Sequence, residues 1–232
     1  MFPIKDTVHS RSFPVVIWLI IIANTLVFML ELSLGPYRLE RFIFRYGLVP
    51  ARFDLFDPFT WMPVFTHMFL HGGWVHFLSN MWTLFIFGDN VEDRMGSGRF
   101  LVFYLMGGVL AGLAQAFIDP TSRIPAIGAS GAIAAVLGAY FLFFPGSRVI
   151  TFIPVFFLPW FIEIPSVVYL GFWFISQLFS GVAALATTSG VASGGVAWWA
   201  HIGGFVAGLL LARPFAAGRR YRVWYPDEFY PY

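Results

Sequence analysis

The sequence predicts an all-α fold: a polytopic membrane protein whose six transmembrane helices form one bundle. Two observations carry this expectation. First, 59% of the 232 residues are apolar and only 11% are charged, against roughly 25% charged in a soluble domain. Mean hydropathy is +0.76, and too few polar side chains remain to cover a water-exposed surface. Second, six segments are apolar over about the 20 residues that a bilayer core of roughly 30 Å requires. The same composition excludes disorder. A net charge of +2 with no dense Lys/Arg patch excludes nucleic-acid binding as a main role. With no cysteine in the chain there is no disulfide framework, thiolate metal site or cysteine nucleophile.

The first segment, Val15–Leu32, is too long for the apolar region of a signal peptide, and Gly35-Pro36 follow it in place of a cleavage site. The long loop Ser33–Gly73 comes next. Within it, Leu39–Tyr46 mixes arginines with aromatics, which reads as amphipathic structure lying along the membrane interface. The second, third and fourth spans are expected at Trp74–Val91, Phe100–Ile118 and Ala126–Phe144, the fifth at Ile164–Ala186 and the sixth at Val196–Ala212. The apolar stretch Val149–Phe161 is short and broken by Pro154 and Pro159, so it reads as an interfacial loop leading into the fifth span. The chain then divides into an N-terminal segment (1–13), a six-span unit (14–212) and a tail (213–232). Nine of the 14 Lys and Arg residues fall on the N-terminal side of the membrane, which places both termini in the cytoplasm. No Arg/Ser-rich transit segment precedes the first span, so a bacterial inner membrane is expected.

Polar groups at membrane depth are costly and face the bundle interior. His76 and Asn80 open the second span four residues apart, on one helix face. Gly128-Ala129-Ser130-Gly131 opens the fourth, and His201 lies one turn into the sixth, followed by Gly204 and Gly208. Spans two, four and six run in the same direction, so these residues fall at similar depth. The small-residue faces of spans four and six let the helices approach closely. The Ser130 hydroxyl then comes within reach of the His201 ring, the arrangement an activated serine nucleophile requires. Taken singly, each feature has an ordinary reading: a packing serine, an interfacial histidine, a glycine turn. The coincidence of depth favours the functional one. A serine at a helix start also brings unpaired backbone N–H groups toward a developing negative charge, and His76 and Asn80 supply side-chain donors. The one acidic residue near the outer end of a span, Glu31, is placed almost at the surface, so a Ser–His dyad is expected and no acidic triad.

These residues resemble those of the rhomboid family of intramembrane serine proteases. The resemblance rests on Gly128-Ala129-Ser130-Gly131, on His71…His76…Asn80, on Ala200-His201-Ile202-Gly203-Gly204 with Gly208, and on Gly88–Gly96 after the second span. It covers roughly residues 14 to 212 and is similar to the basic six-span bacterial form. It implies Ser130 as nucleophile and His201 as general base and acid, with His76, Asn80 and the Ser130 backbone N–H as the oxyanion hole. Glu92 and Arg94 match positions that act structurally. The implied substrates are membrane-anchored proteins, cut in or near a transmembrane helix, with the lipid bilayer as the working medium and no metal or other cofactor. The chain departs from the family at Phe59-Thr60-Trp61-Met62-Pro63-Val64, where a Trp-Arg pair often stands. The Gly/Ser-rich connection Thr187–Gly195 reads equally as a mobile lid or a plain flexible connector, and the aromatic fifth span as a gate for substrate or a lipid-facing surface. Two other classes remain: a non-cleaving relative that binds transmembrane helices, and a transporter. The second lacks an acidic residue in the cluster and an inverted repeat. A metal site from His67, His71, His76 and His201 has loose spacing and no carboxylate.

Overall fold

The computed structural model describes residues 2–155, 158–186 and 196–218. Helices occupy all six predicted segments: α1 (Val15–Ser33), then α4 (Trp74–Met95), α5 (Ser97–Ile118), α6 (Ser130–Phe143), α7 (Ser166–Ala186) and α8 (Trp198–Ala216). Between the first two of these lie α2 (Pro36–Tyr46) and the short α3 (Met62–Thr66). By length and apolarity alone, α1, α5 and α7 can each cross a membrane, and α6 is a shorter apolar helix. In α4 and α8 the run is interrupted by polar, Gly and Trp residues. Phe172, Phe179 and Leu210 point outward and are exposed, the reverse of a water-soluble surface.

The ends of these helices are held by side chains from elsewhere. Pro14 precedes α1, whose first N–H groups have no partner of their own. Glu92 of α4 supplies one: its two carboxylate oxygens accept from Val16 N at 3.0 Å and Ile17 N at 2.9 Å. Asp93 accepts from Arg11 N at 3.1 Å and from the Ser12 hydroxyl. Gly96, at φ +86°, turns the chain from α4 directly into α5. The helix α2 buries none of its residues, and Arg41 and Arg45 lie over the Tyr37 and Tyr46 rings. The helix is amphipathic, as the sequence of this loop suggests. The rest of the loop turns on Pro50–Arg52, Pro58–Thr60 and His67–Phe69, and is tied down by a backbone bridge between Leu48 and Ala126.

One expectation is corrected. The stretch read as an interfacial loop forms two antiparallel strands, and residues near the N-terminus form a third. These are β1 (Phe2–Asp6), β2 (Arg148–Val155) and β3 (Leu158–Pro165), in the order β1-β2-β3. Val149-Ile150-Thr151-Phe152-Ile153 and Trp160-Phe161-Ile162 are β-branched and aromatic, the residue types that suit a pleated surface. Pro154 and Pro159 are register partners close to the end of the strand pair, so the two residues lacking an N–H fall opposite one another rather than breaking the ladder in two places. The sheet is pinned to the bundle at Asp6, which accepts hydrogen bonds from the Tyr140 hydroxyl of α6 and from Asn90 Nδ2 of α4, the latter at 2.9 Å.

The helix α6 is the centre of the bundle, with every residue from Gly131 to Tyr140 buried. Its neighbours approach to backbone contact. A Cβ on Gly107 of α5 would meet Ala135 Cβ of α6 at 2.5 Å. One on Gly208 of α8 would lie 2.7 Å from the carbonyl carbon of Ala135 and 2.8 Å from its Cα. No side chain separates α6 from α8 at these points, so the helix spacing is set by main-chain contact.

Candidate active site

Ser130 is the first residue of α6 and His201 the fourth of α8. With the two helices in backbone contact, the Ser130 Oγ lies 2.8 Å from His201 Nε2. The expected pairing of hydroxyl and ring is therefore present, within the range of a good hydrogen bond. The His201 ring lies 6.0 Å from the Trp173 ring of α7 and 6.1 Å from that of Trp198. A cavity of about 870 Å³ reaches the pair, and its lining includes His76, Asn80, Ser130, Ile133, Trp173 and His201.

His76 and Asn80 project from the first two turns of α4 toward the same cavity. The backbone N–H of Gly72 donates to His76 Nδ1 at 3.3 Å. That nitrogen is therefore the bare one in neutral imidazole, and Nε2 carries the proton. His76 thus presents a donor to the cavity. Asn80 Nδ2 is buried and has no hydrogen-bond partner among the described residues. A buried donor left unmade is costly, which is what a site waiting for an acceptor looks like. Between them stands Gly128, at φ +122°. A Cβ there would lie 2.6 Å from His76 Nε2 and 3.5 Å from Asn80 Nδ2. Gly128 both adopts a conformation that L side chains rarely reach and leaves open the space between the two donors. The Ser130 N–H, at the first position of α6, has no intrahelical acceptor. The four residues expected to form the site are thus drawn to one cavity.

His67 and His71 stand apart from this group. His67 is buried, with Nδ1 3.0 Å from the Pro63 carbonyl, and its own carbonyl accepts from Gly128 N at 2.9 Å. It positions the Gly128 turn, and burial pulls its ring down to about 4. His71 is held at about 4 by burial and by the neighbouring His76. Its backbone N–H donates to both oxygens of Glu31, at 3.2 and 3.1 Å. Glu31, expected almost at the surface, is 2% exposed. It lies two residues from the end of α1, and the loop before α4 folds back over it there.

Two residues of α7 went unread in the sequence. Gln177 Oε1 lies 2.8 Å from His201 Nδ1, and Gln177 Nε2 donates to Ser176 Oγ at 3.1 Å. The available signal was an amide in an otherwise apolar span. The connection Thr187–Gly195, read as a lid or a connector, lies outside the described residues. The fifth span, read as a gate or a lipid-facing surface, meets α4 at the Tyr169 and Phe87 rings, 6.4 Å apart.

Residues 58–217 match the family model described as the Rhomboid domain. Among curated proteins, the chain is 29% identical over 196 residues to Rhomboid-like protein 11, chloroplastic, of Arabidopsis thaliana, covering 82% of this chain and 64% of that one. It is 30% identical over 142 residues to the rhomboid protease GlpG of Salmonella choleraesuis, covering 61% of this chain and 48% of that one. It is 32% identical over 136 residues to the rhomboid protease GluP of Bacillus subtilis, covering 58% and 26%. In each case the chain spans less than two thirds of the relative's length.

Proposed function

The chain belongs to the rhomboid family, an integral membrane protein family, and on that footing we propose that it is an intramembrane serine endopeptidase working through Ser130 and His201. The observation that carries the reading is the 2.8 Å separation of Ser130 Oγ and His201 Nε2 beside the unpartnered donor of Asn80. His201 Nε2 takes the proton as the Ser130 oxygen attacks a peptide carbonyl. The carbonyl oxygen becomes an oxyanion and is met by His76 Nε2–H, Asn80 Nδ2–H and the Ser130 N–H. The tetrahedral centre collapses, His201 returns the proton to the leaving amine, and water repeats the cycle on the acyl-enzyme. A base must be neutral, so cleavage falls as acid protonates His201.

The substrate class is a membrane-anchored protein cut in or near its transmembrane helix. The cavity is lined by α4, α6 and α7 as well as α8, which favours entry from the side, between α4 and α7. In this reading all six long helices span the bilayer of a bacterial inner membrane, with both termini cytoplasmic, and residues 14–212 are the catalytic unit. The polar residues of α4 and α8 then turn toward the bundle and its cavity, as intramembrane polar groups do.

The test is covalent labelling of the detergent-purified protein by a fluorophosphonate probe, beside Ser130→Ala and His201→Ala. Labelling of the unaltered protein alone is expected. Absence of labelling in folded protein overturns the reading in favour of a helix-binding or transport role. Labelling that survives in Ser130→Ala moves the nucleophile elsewhere.

A further inference from the structure

We propose that Gln177 is a third member of the Ser130–His201 pair, a positioning residue that fixes the tautomer and orientation of the His201 ring. This inference rests on the hydrolase reading above and deepens it. Gln177 lies on α7 and is 7% exposed. Its Oε1 is 2.8 Å from His201 Nδ1, on the opposite side of the ring from Ser130.

The direction of every hydrogen bond in this chain follows from its far end. The Trp173 carbonyl can only accept. The Ser176 hydroxyl donates its one proton to it, at 2.6 Å. Ser176 Oγ is then left as an acceptor toward Gln177, so it must face the amide NH2, which it does at 3.1 Å. That fixes the amide orientation and turns Oε1 toward His201. Oε1 has no proton to give, so His201 Nδ1 must carry one. A neutral ring protonated at Nδ1 is bare at Nε2, and Nε2 is the atom facing the Ser130 hydroxyl. For a neutral ring, the whole run from the Trp173 carbonyl through Ser176, Gln177 and His201 to Ser130 is consistent with one assignment only. That assignment is the one in which His201 accepts the serine proton.

An acidic third residue does this job in other serine hydrolases and also stabilises the imidazolium. A neutral amide supplies the orientation and tautomer without placing a net negative charge inside the bundle, where ionised groups are expensive. It acts through His201 and does not touch the substrate. Ser176 is the residue that orients the amide, by removing the freedom of its two ends to exchange.

The experiment has two arms on the full chain. In the first, the fluorophosphonate reaction is followed to saturation for the unaltered protein, Gln177→Leu and Gln177→Glu. Gln177→Leu, which offers no acceptor, is expected to lower the maximal inactivation rate about 10- to 100-fold, as loss of an orienting partner does, with half-saturation unchanged. Gln177→Glu keeps an acceptor at the same place and is expected to restore most of the rate. In the second arm, 15N-histidine NMR of the unaltered protein, with His201 assigned by comparison with His201→Ala, is expected to show a neutral ring protonated at Nδ1. Gln177→Leu loses that preference. A His201 protonated at Nε2 in the unaltered protein overturns the proposal, as does a Gln177→Leu protein that reacts at the full rate. Should Gln177→Leu fail to fold, the tautomer of the unaltered protein and the Gln177→Glu rate still decide. If the unaltered protein does not react with the probe, the hydrolase reading fails, and the NMR arm still tests the positioning of the ring.

Discussion

Replacing Gly128 with alanine tests the oxyanion site with one methyl group. The residue sits at φ +122°, so any side chain there carries backbone strain of roughly 1–3 kcal/mol. The added Cβ would stand 2.6 Å from His76 Nε2 and 2.8 Å from its Cε1. Ordinary contact begins near 3.4 Å, so the ring has to retreat by about 0.8 Å, or the turn must move instead. Either movement fills or displaces the space between the His76 and Asn80 donors. Loss of one such donor costs about 10²–10³ in rate, and a misplacement of about 1 Å costs about 10². The second-order rate of fluorophosphonate labelling should therefore fall by about two orders of magnitude, with a lower midpoint of thermal unfolding in detergent. Gly98→Ala and Gly171→Ala are the controls, since a Cβ at either meets nothing within 4 Å among the described residues. Both positions are helical, so alanine should raise stability by about 0.5–1 kcal/mol and leave labelling unchanged. If folded Gly128→Ala protein reacts at the unaltered rate, the space beside Gly128 does not receive the oxyanion and the assignment of its donors fails.

Asn80→Ala separates chemistry from stability: labelling should drop about 10²–10³-fold, while the unfolding midpoint holds or rises, because the amide removed has an unpartnered buried nitrogen. A large loss of stability would make Asn80 a structural residue instead. Glu92→Ala removes the acceptor of the Val16 and Ile17 N–H groups and should cost about 1–3 kcal/mol in denaturant unfolding; a neutral result would mean water caps α1 equally well. Burial raises Asp6 to about 8 from an ordinary 3.8. Between those values the folded chain holds a proton that the unfolded chain releases, so the contribution of Asp6 to stability falls as pH rises through about 4 to 8. Asp6→Asn does not titrate, so its stability relative to the unaltered protein should improve across that window, and an identical difference at pH 5 and pH 9 would contradict the assignment.

The helices were readable because a bilayer imposes a length. Val15 and Trp74 begin their helices at the expected residues, and α5 ends at Ile118 as expected. The sheet was not readable, for two reasons. Its aromatic and β-branched residues also suit a membrane interface, and strand β1 lies more than 140 residues before its partner β2. No local pattern announces a pairing over that distance. Two prolines in the thirteen residues Val149–Phe161 argue for a loop, and only their mutual register reconciles them with a strand pair.

The site divides the same way, and the reason is direction. Ser130, His76, Asn80 and His201 lie near the starts of spans two, four and six, which share a direction and so share a depth. Spans one, three and five run the opposite way, and their residues at that depth fall toward their ends. Two of them have a polar residue there, Glu31 in α1 and Gln115 in α5, whereas Gln177 lies near the middle of α7 (Ser166–Ala186). Each also meets a site-bearing segment. Glu31 accepts from the His71 N–H before α4, Gln115 Oε1 from the Ala200 N–H at 3.3 Å, and Gln177 faces the His201 ring. The antiparallel neighbours therefore carry side-chain acceptors directed at the backbone and ring that need holding. Reading the odd spans from their ends, with the rule already applied to the even spans from their starts, selects Glu31 and Gln115; Gln177 is marked only as an amide in an apolar span. A polar residue near the end of a span thus gains meaning from the direction of the helix that carries it, while one at mid-span, as Gln177 is, stands out by its cost alone.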